Sequence, residues 1–242
     1  MISIVIAAYN EENRIGKSLL KIKAYLDAPD TDYELIVVDD GSTDNTKQVS
    51  ADYKSEITSL KVIGYPVNKG KGYALRQGVF ASKGDAVLLT DADLSTPIEE
   101  LDRLLPLIVG GRYDVVIGSR ALKTSKILKK QPWWRQGMGK TFNRIVKILV
   151  LDGFNDTQCG FKLFSGEAAK SLFKDARIDR FAYDVEILAL AKKNGYRISE
   201  MPVRWINSPE SKVNPIFDSL QMFFDLIKIR MRMGKEKTKS PH

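Results

Sequence analysis

The stretch VLLTDADLST, residues 87–96, runs from an apolar segment directly into two aspartates separated by one alanine. A short apolar run of this kind predicts a buried strand, so the aspartates mark its carboxyl end. Crowding the carboxylates of Asp91 and Asp93 costs free energy unless a cation or hydrogen-bond donors compensate. The stretch therefore predicts a divalent metal site, with a solvated turn or a helix cap as the alternative interpretation.

Strand and helix patterns alternate on both sides of this stretch. Apolar runs predict strands at 2–8, 33–40, 60–65, 85–91 and 113–119. Helical spacing predicts a helix at 13–26, a helix-cap signature predicts one at 42–53, and two more helices are predicted at 72–82 and 98–108. This rhythm predicts an α/β fold with a Rossmann-like, mostly parallel central sheet flanked by helices. Ligands bind at the carboxyl ends of such strands, where Tyr9, Glu11 and Asp40 are expected to join the two aspartates.

Net charge and the scarcity of two residue types restrict the chemistry. The 38 Lys and Arg against 30 Asp and Glu give a net charge of +8, which favours an anionic partner. Cys159 and His242 are the only residues of their types, which argues against histidine metal sites and against Ser–His or Cys–His catalysis. Oxygen ligands then favour Mg²⁺ or Mn²⁺ at the aspartates. No nucleic-acid-binding motif occurs, so we expect no nucleic-acid partner.

A glycine-rich basic segment, NKGKGYALRQG (68–78), leads into the third predicted helix. Its glycines let the backbone approach a ligand, and Lys69 and Lys71 bring positive charge. The spacing matches neither a Walker loop nor a dinucleotide fingerprint. Arg120 follows the fifth predicted strand, where a guanidinium is placed to neutralise phosphate. The alternative for each of these residues is an ordinary solvated surface position.

The chain resembles family-2 glycosyltransferases of the GT-A fold in five successive segments: SIVIAAYNEENRI (3–15), ELIVVDDGSTDNT (34–46), NKGKGYALRQG (68–78), LLTDADLSTPIEE (88–100) and VIGSRAL (116–122). Three later segments are similar to polyprenyl-phosphate hexosyltransferases, especially dolichyl-phosphate glucosyltransferases. They are DTQCGFKLFSGEAA (156–169), RFAYDVEILALAKKNGYRISEMPVRW (180–205) and SPESKVNP (208–215). The resemblance thus extends over nearly the whole chain and implies a GT-A domain.

Several site residues are implied by this resemblance. The implied nucleotide-sugar residues are Ala8, Tyr9, Glu11, Asp40, Lys69, Lys71, Asp91, Ala92, Asp93, Ser211 and Lys212. The implied catalytic residues are Asp91, Asp93, Arg120 and Asp184, and the metal ligands are Asp91 and Asp93. The implied acceptor-phosphate residues are Arg120, Lys130 and Arg135. Asp184 is implied to order the acceptor region, with a general-base role as the alternative. Ala8 departs from the many relatives that have proline there.

The implied reaction is an inverting transfer of a hexose, with glucose favoured, from a nucleotide sugar to a polyprenyl (dolichyl) phosphate. Uracil N3–H and guanine N1–H both suit Asp40 as an acceptor, so UDP-glucose is the favoured donor and GDP-mannose the alternative. Two other functions stay open at this point. One is transfer to a sugar hydroxyl, and the other is a basic module that only binds a membrane or nucleic acid.

The basic residues suggest an anionic membrane surface. Trp133 and Trp134 lie among Lys and Arg after Arg120, a combination typical of membrane interfaces. A helix over 213–239 carries an apolar stripe followed by basic residues, and 139–154 is a second amphipathic candidate. The stripe consists of Ile216, Leu220, Phe223, Phe224 and Ile227. We therefore predict a glycosyltransferase domain at 1–212 and an interfacial helix with a basic tail at 213–242; a helix packed on the domain is the alternative.

No signal-peptide pattern opens the sequence, and no apolar run reaches the length of a membrane span. We therefore expect a peripheral protein on the cytoplasmic face of a membrane. Reliance on a partner is the alternative, and that partner could be a membrane protein or a second copy of the chain in a homo-oligomer.

Overall fold

The computed structural model describes residues 1–28, 31–129, 131–208 and 217–236. The strands are β1 Ile2–Ala8, β2 Tyr33–Asp39, β3 Leu60–Gly64, β4 Ala86–Asp91, β5 Val115–Ser119, β6 Lys126–Lys129, β7 Lys162–Ser165, β8 Ile198–Pro202 and β9 Arg204–Ile206. The helices are α1 Ile15–Asp27, α2 Thr46–Asp52, α3 Lys71–Ala81, α4 Leu101–Val109, α5 Trp133–Leu149, α6 Gly166–Asp175, α7 Tyr183–Lys193 and α8 Phe217–Glu236.

The central sheet has seven strands in the order β3-β2-β1-β4-β7-β5-β8. All neighbouring strands run parallel except β7, which is antiparallel to both β4 and β5. Strands β6 and β9 form a separate two-stranded parallel sheet. The predicted α/β class and mostly parallel sheet are confirmed, and the five predicted strands begin and end within two residues of the observed ones.

Helices cover both faces of the sheet, which explains why its parallel strands are apolar on both sides. One core includes Val38, Leu75 and Phe173 and lies beneath α3, α6 and α7. The other includes Leu19 and Leu104 and lies beneath α1 and α4. The two cores fix the sheet between two helical layers, so its carboxyl edge is a rigid support for a site.

Strand register brings the polar strand ends together at this edge. Ala8 pairs with Asp39, and Ala7 pairs with Asp91 on the other side of β1. Glycine permits close packing just behind the edge, because a Cβ on Gly78 of α3 would lie 2.2 Å from a methyl of β1. The polar carboxyl ends of β1, β2 and β4 therefore lie next to one another in the structure, as the alternating pattern predicts.

The C-terminal helix α8 has two apolar faces. Met222, Leu226 and Ile229 are buried in the core that includes α7. Three residues of the predicted stripe stay exposed, namely Leu220, Phe223 and Phe224, at 54%, 40% and 57% of their surface. The stripe read from the sequence is therefore not the face that packs on the domain. Ile216 and the tail beyond Glu236 lie outside the described residues.

The second predicted amphipathic helix, 139–154, is observed earlier in the chain, at Trp133–Leu149. Among the helices of the described ranges, none combines the length and the apolar character needed to cross a bilayer.

Candidate active site

The centre of the site is an ion pair between Lys71, at the start of α3, and Asp91, at the end of β4. The Nζ of Lys71 lies 2.5 Å from Oδ1 of Asp91. Burial disfavours the charge on Lys71, but the carboxylates of Asp91, Asp184 and Asp93 outweigh it and raise the lysine pKa. Burial also opposes ionisation of Asp91, but Lys71 outweighs it and lowers the aspartate pKa. Both groups are therefore charged at neutral pH, and the negative charges of three predicted catalytic carboxylates act on one ammonium.

A second ion pair holds Asp184, which lies in the first turn of α7. Lys162 of β7 is 1% exposed, and its Nζ lies 2.5 Å from Oδ1 of Asp184. The same ammonium donates to the carbonyl oxygen of Cys159 at 2.5 Å. Lys162 was missed by the sequence reasoning, although a lysine inside the apolar run GFKLF is an available signal. This ammonium fixes both the loop before β7 and the carboxylate of Asp184.

Close backbone approach sets the position of Asp91. Gly160 packs so tightly against it that an added Cβ would lie 2.1 Å from Oδ2 of Asp91. Any larger residue at 160 therefore displaces the carboxylate. On the other side, Gly70 has a φ of +104°, a conformation that favours glycine and lets the chain turn into α3.

Arg120 is anchored rather than free. Its Nε and Nη2 donate to the two oxygens of Asp156 at 2.7 and 2.8 Å, a bidentate pair. Burial opposes the ionised form of Asp156, but Arg120 outweighs it and lowers the aspartate pKa to about 2. Arg120 also lies over the Trp205 ring, 5.6 Å from its centroid. Its positive charge contributes to the lowered pKa of Asp91, so the structure brings it into the same electrostatic site.

Asp93 lies at the junction of two loops. Its Oδ1 accepts from the Ser95 backbone N–H at 2.9 Å, and its Oδ2 lies 4.0 Å from Nη1 of Arg14. Arg14 also forms a two-point ion pair with Glu11 and donates to Ser208 Oγ at 2.7 Å. Glu11, a predicted nucleotide-sugar-binding residue, is thus paired with an arginine that the sequence reasoning did not single out.

Asp91 and Asp93 offer the carboxylate oxygens that Mg²⁺ or Mn²⁺ prefers as ligands. Within the described part of the chain, no group of three or more His, Cys, Asp or Glu side chains is arranged to hold a metal ion by itself. One or two carboxylates are sufficient, however, when phosphate oxygens and water complete the coordination. Asp93 has an oxygen that lies 4.0 Å from the Arg14 guanidinium, whereas Asp91 is closely paired with Lys71.

Asp40 holds the loop that leads into α3. Its carboxylate accepts from Tyr65 Oη at 2.7 Å, Asn68 Nδ2 at 2.9 Å, and the backbone N–H groups of Lys69 and Gly70 at 2.9 Å. Four donors fill the acceptor capacity of one carboxylate. The base-recognition role of Asp40 therefore stays a prediction, and a nucleobase would have to displace one of these donors.

The neighbouring Asp39 is a further group to which the sequence reasoning assigned no role. It is 2% exposed, and its Oδ1 is buried without a hydrogen-bond partner among the described residues. It ends β2 between Ala8 and Gly64. A buried acceptor left unpaired costs about 1–3 kcal/mol, which a ligand N–H at this edge would offset.

The remaining predicted residues lie in several parts of the structure. Ala8 and Ala92 are buried, and Tyr9 is partly exposed. Lys69 points its Nζ over the Tyr73 ring, 4.5 Å from the centroid, whereas Lys71 points to the aspartates. Arg135 lies in the first turn of α5. The other three predicted residues, Lys130, Ser211 and Lys212, lie outside the described residues.

Comparison with known proteins identifies the family of this chain. The family model described as Glycosyl transferase family 2 matches residues 3–173. The chain belongs to glycosyl transferase family 2. As a member of this family it is an enzyme that transfers sugars, and its predicted resemblance is confirmed.

Curated members of the glycosyltransferase family match almost the entire chain. The "Dolichyl-phosphate beta-glucosyltransferase" of Dictyostelium discoideum is 34% identical over 99% of this chain and 77% of its own length. The protein of the same name from Homo sapiens is 35% identical over 96% of this chain and 75% of its own length.

Solved glycosyltransferase structures share the fold. Mannosyl-3-phosphoglycerate synthase from Rubrobacter xylanophilus superimposes with a TM-score of 0.71 at 19% identity, covering 100% of this chain and 76% of that one. Glucosyl-3-phosphoglycerate synthase from Mycobacterium tuberculosis, crystallised with Mn²⁺, UDP and glucosyl-3-phosphoglycerate, gives 0.70 at 22% identity, covering 95% and 80%. At these identities the likeness shows the fold, which is GT-A.

Proposed function

We propose that this glycosyltransferase moves glucose from UDP-glucose to a polyprenyl phosphate of the dolichyl class, with inversion at the anomeric carbon. The observation that carries the proposal is the similarity, at 34–35% identity over nearly the whole chain, to relatives named dolichyl-phosphate beta-glucosyltransferase. A β-linked product from an α-linked nucleotide sugar requires inversion. The acceptor phosphate oxygen therefore forms the new bond to C1 as the bond from C1 to the diphosphate breaks.

The residues at the sheet edge suit this chemistry. A lipid monophosphate carries a charge of about −1.5 to −2 at neutral pH, so it needs positioning more than deprotonation. Asp184, held by Lys162, is proposed to order the acceptor region rather than to remove a proton. The electron pair leaves with the UDP oxygen, and Lys71 and Arg120 are proposed to stabilise the developing negative charge.

A divalent cation, when bound, neutralises negative charge on the diphosphate of the nucleotide sugar. Asp93 is proposed to hold it, with Asp91 as the neighbouring carboxylate. The crystallisation of the mycobacterial synthase with Mn²⁺ and UDP supports a divalent metal and a uridine donor in this fold. Asp39 and Asp40 are proposed to face the base, with Ser211 and Lys212 closing on the donor.

The exposed apolar face of α8 supports association with a membrane, and the cytoplasmic face of that membrane is proposed as the location. Trp133, at the start of α5, is 84% exposed and is proposed to join the same contact, with Arg135 and Lys130 near the headgroup. The chain segment 213–242 is accordingly proposed as the interfacial unit.

Product analysis tests the proposal. Enzyme, labelled UDP-glucose, Mg²⁺ or Mn²⁺ and dolichyl phosphate are expected to give a lipid-soluble product that releases glucose in mild acid. Asp93→Asn is expected to abolish metal-dependent donor binding, whereas the surface variant Asp52→Asn keeps it. Label that stays in water-soluble saccharide would favour a sugar-hydroxyl acceptor, and turnover of GDP-mannose in place of UDP-glucose would refute the donor assignment.

A further inference from the structure

A cavity of about 340 Å³ lies between α7, α8 and the segment 177–180 that precedes α7. Its walls include Lys69 but neither Asp91 nor Asp93. Five lining side chains are cationic, namely Lys69, Arg177, Arg180, Lys228 and Arg232. The cavity is therefore a second basic concavity, separate from the carboxylates of the candidate active site.

The acidic groups of the cavity are already engaged. Glu186 is 1% exposed and pairs with Arg232 at 2.8 Å. Asp225 pairs with Lys228 at 2.9 Å. Asp179 pairs with an arginine of α3 at 2.7 Å. The three acidic groups among the eight charged lining residues thus each form an ion pair with a cation.

The remaining cations have no such match. Arg177 donates to the carbonyl oxygens of Lys174 and Ala176 at 3.0 Å. Arg180 is exposed, and Lys69 lies over aromatic rings. Within the ranges that the structure describes, none of these three cations has a carboxylate within ion-pair distance. Two guanidinium groups and an ammonium around one concavity form an excess of positive charge.

We propose that this cavity binds a phosphate group. Guanidinium groups bind phosphate through paired N–H donors, and the ammonium adds a point charge. A cavity of about 340 Å³ has room for a phosphate with an attached group. The phosphate has two possible sources, a free anion or an anionic lipid headgroup. A lipid headgroup could reach the cavity because α8, which lines one wall at Gln221, exposes the apolar side chain of the adjacent Leu220.

The cavity shares a wall with the loop that leads into α3. The Asp179 carbonyl oxygen accepts from Tyr73 N–H of α3 at 2.9 Å. A Cβ on Gly70 would lie 2.6 Å from that same oxygen and 2.9 Å from the Arg180 side chain. Phosphate in the cavity would therefore contact a segment that packs directly on the start of α3.

Two binding assays test the proposal. The proteins are the unaltered chain, the double variant Arg177→Gln/Arg180→Gln, the single variant Arg180→Gln and the matched surface control Arg112→Gln. The first assay is equilibrium dialysis of labelled inorganic phosphate with EDTA present. The second is sedimentation with vesicles of phosphatidylcholine, with or without phosphatidylglycerol. Arg180→Gln guards against misfolding, because that side chain is exposed and makes no hydrogen bond among the described residues.

We expect at least about tenfold weaker phosphate binding in the double variant, equivalent to about 1.4 kcal/mol, and unchanged binding in the control. The single variant is expected to lie between them. Loss confined to phosphatidylglycerol vesicles identifies a lipid headgroup, and loss confined to dialysis identifies a free anion. If both cavity variants behave like Arg112→Gln in both assays, the cavity is not a phosphate site.

Discussion

Replacing Lys162 with methionine tests how the acceptor side of the site is held together. The substitution removes a buried ammonium while keeping a flexible side chain of similar length. The side chains of Lys162 and Asp184 are 1% and 6% exposed, so the carboxylate left behind cannot be hydrated in place. The Cys159 carbonyl oxygen also loses a donor.

Removing one partner of a buried ion pair costs about 3–5 kcal/mol, because the other charge remains buried without compensation. For a chain of this size, each kcal/mol lowers the melting temperature by about 2–4 °C. We therefore expect Lys162→Met to melt roughly 6–20 °C below the wild type. Lys23→Met, which breaks the exposed pair with Asp27, is expected to melt close to the wild type.

Thermal and urea unfolding, followed by circular dichroism, measure this effect. The double variant Lys162→Met/Asp184→Asn removes both charges and is expected to recover much of the lost stability. Unfolding of Lys162→Met at the wild-type midpoint would refute the buried pair. A double variant as unstable as the sum of its two single variants would also refute it, because the residues would then be uncoupled.

Three further outcomes are expected. The pKa of Asp156 lies at about 2 in the folded protein against its ordinary value of 3.8, a difference of about 2 kcal/mol. Between about pH 4 and pH 2 the unfolded chain binds more protons than the folded protein, so this contribution to the free energy of unfolding is present above about pH 4 and is lost as the pH falls towards 2. In Asp156→Asn, the free energy of unfolding measured in acid titrations should fall less steeply over this pH range. Gly160→Ala should displace Asp91, because the added Cβ would lie 2.1 Å from its Oδ2, and should lower kcat/KM in steady-state assays at least tenfold, or about 1.4 kcal/mol. Leu220→Ser/Phe224→Ser should reduce vesicle sedimentation while stability is retained, because both side chains are exposed.

The alternating half of the chain is predictable because its local and global preferences agree. Strands β1 to β5 are mostly apolar runs, interrupted by Glu34 in β2 and Lys61 in β3, and the helices α1 to α4 occupy the segments between them. Each element could therefore be recognised without knowing its neighbours. The carboxyl-edge position of Asp91 and Asp93 followed from the parallel connection rule alone.

Strand β7 was not predictable in the same way. Its sequence, Lys162–Ser165, begins with a lysine, and lysine is rarely found buried in a central strand. The lysine is accommodated only because Asp184, 22 residues later, meets its ammonium. Asp40 shows the same limit, because donors 25 to 30 residues away fill its carboxylate. Long-range partners of this kind leave no local pattern in the sequence.

The charge balance of the site argues for metal dependence independently of any relative. Three cations of the site are each matched by a carboxylate, in the pairs Lys71–Asp91, Lys162–Asp184 and Arg120–Asp156. A fourth cation, Arg14, is paired with Glu11, so Asp93, 4.0 Å from the same guanidinium, adds a further negative charge at this edge. A nucleotide diphosphate brings still more negative charge, so its binding without another cation would be opposed by the site's own field. A divalent ion bound at Asp93, as proposed, would restore the balance, so removing the ion should weaken donor binding rather than only slow turnover.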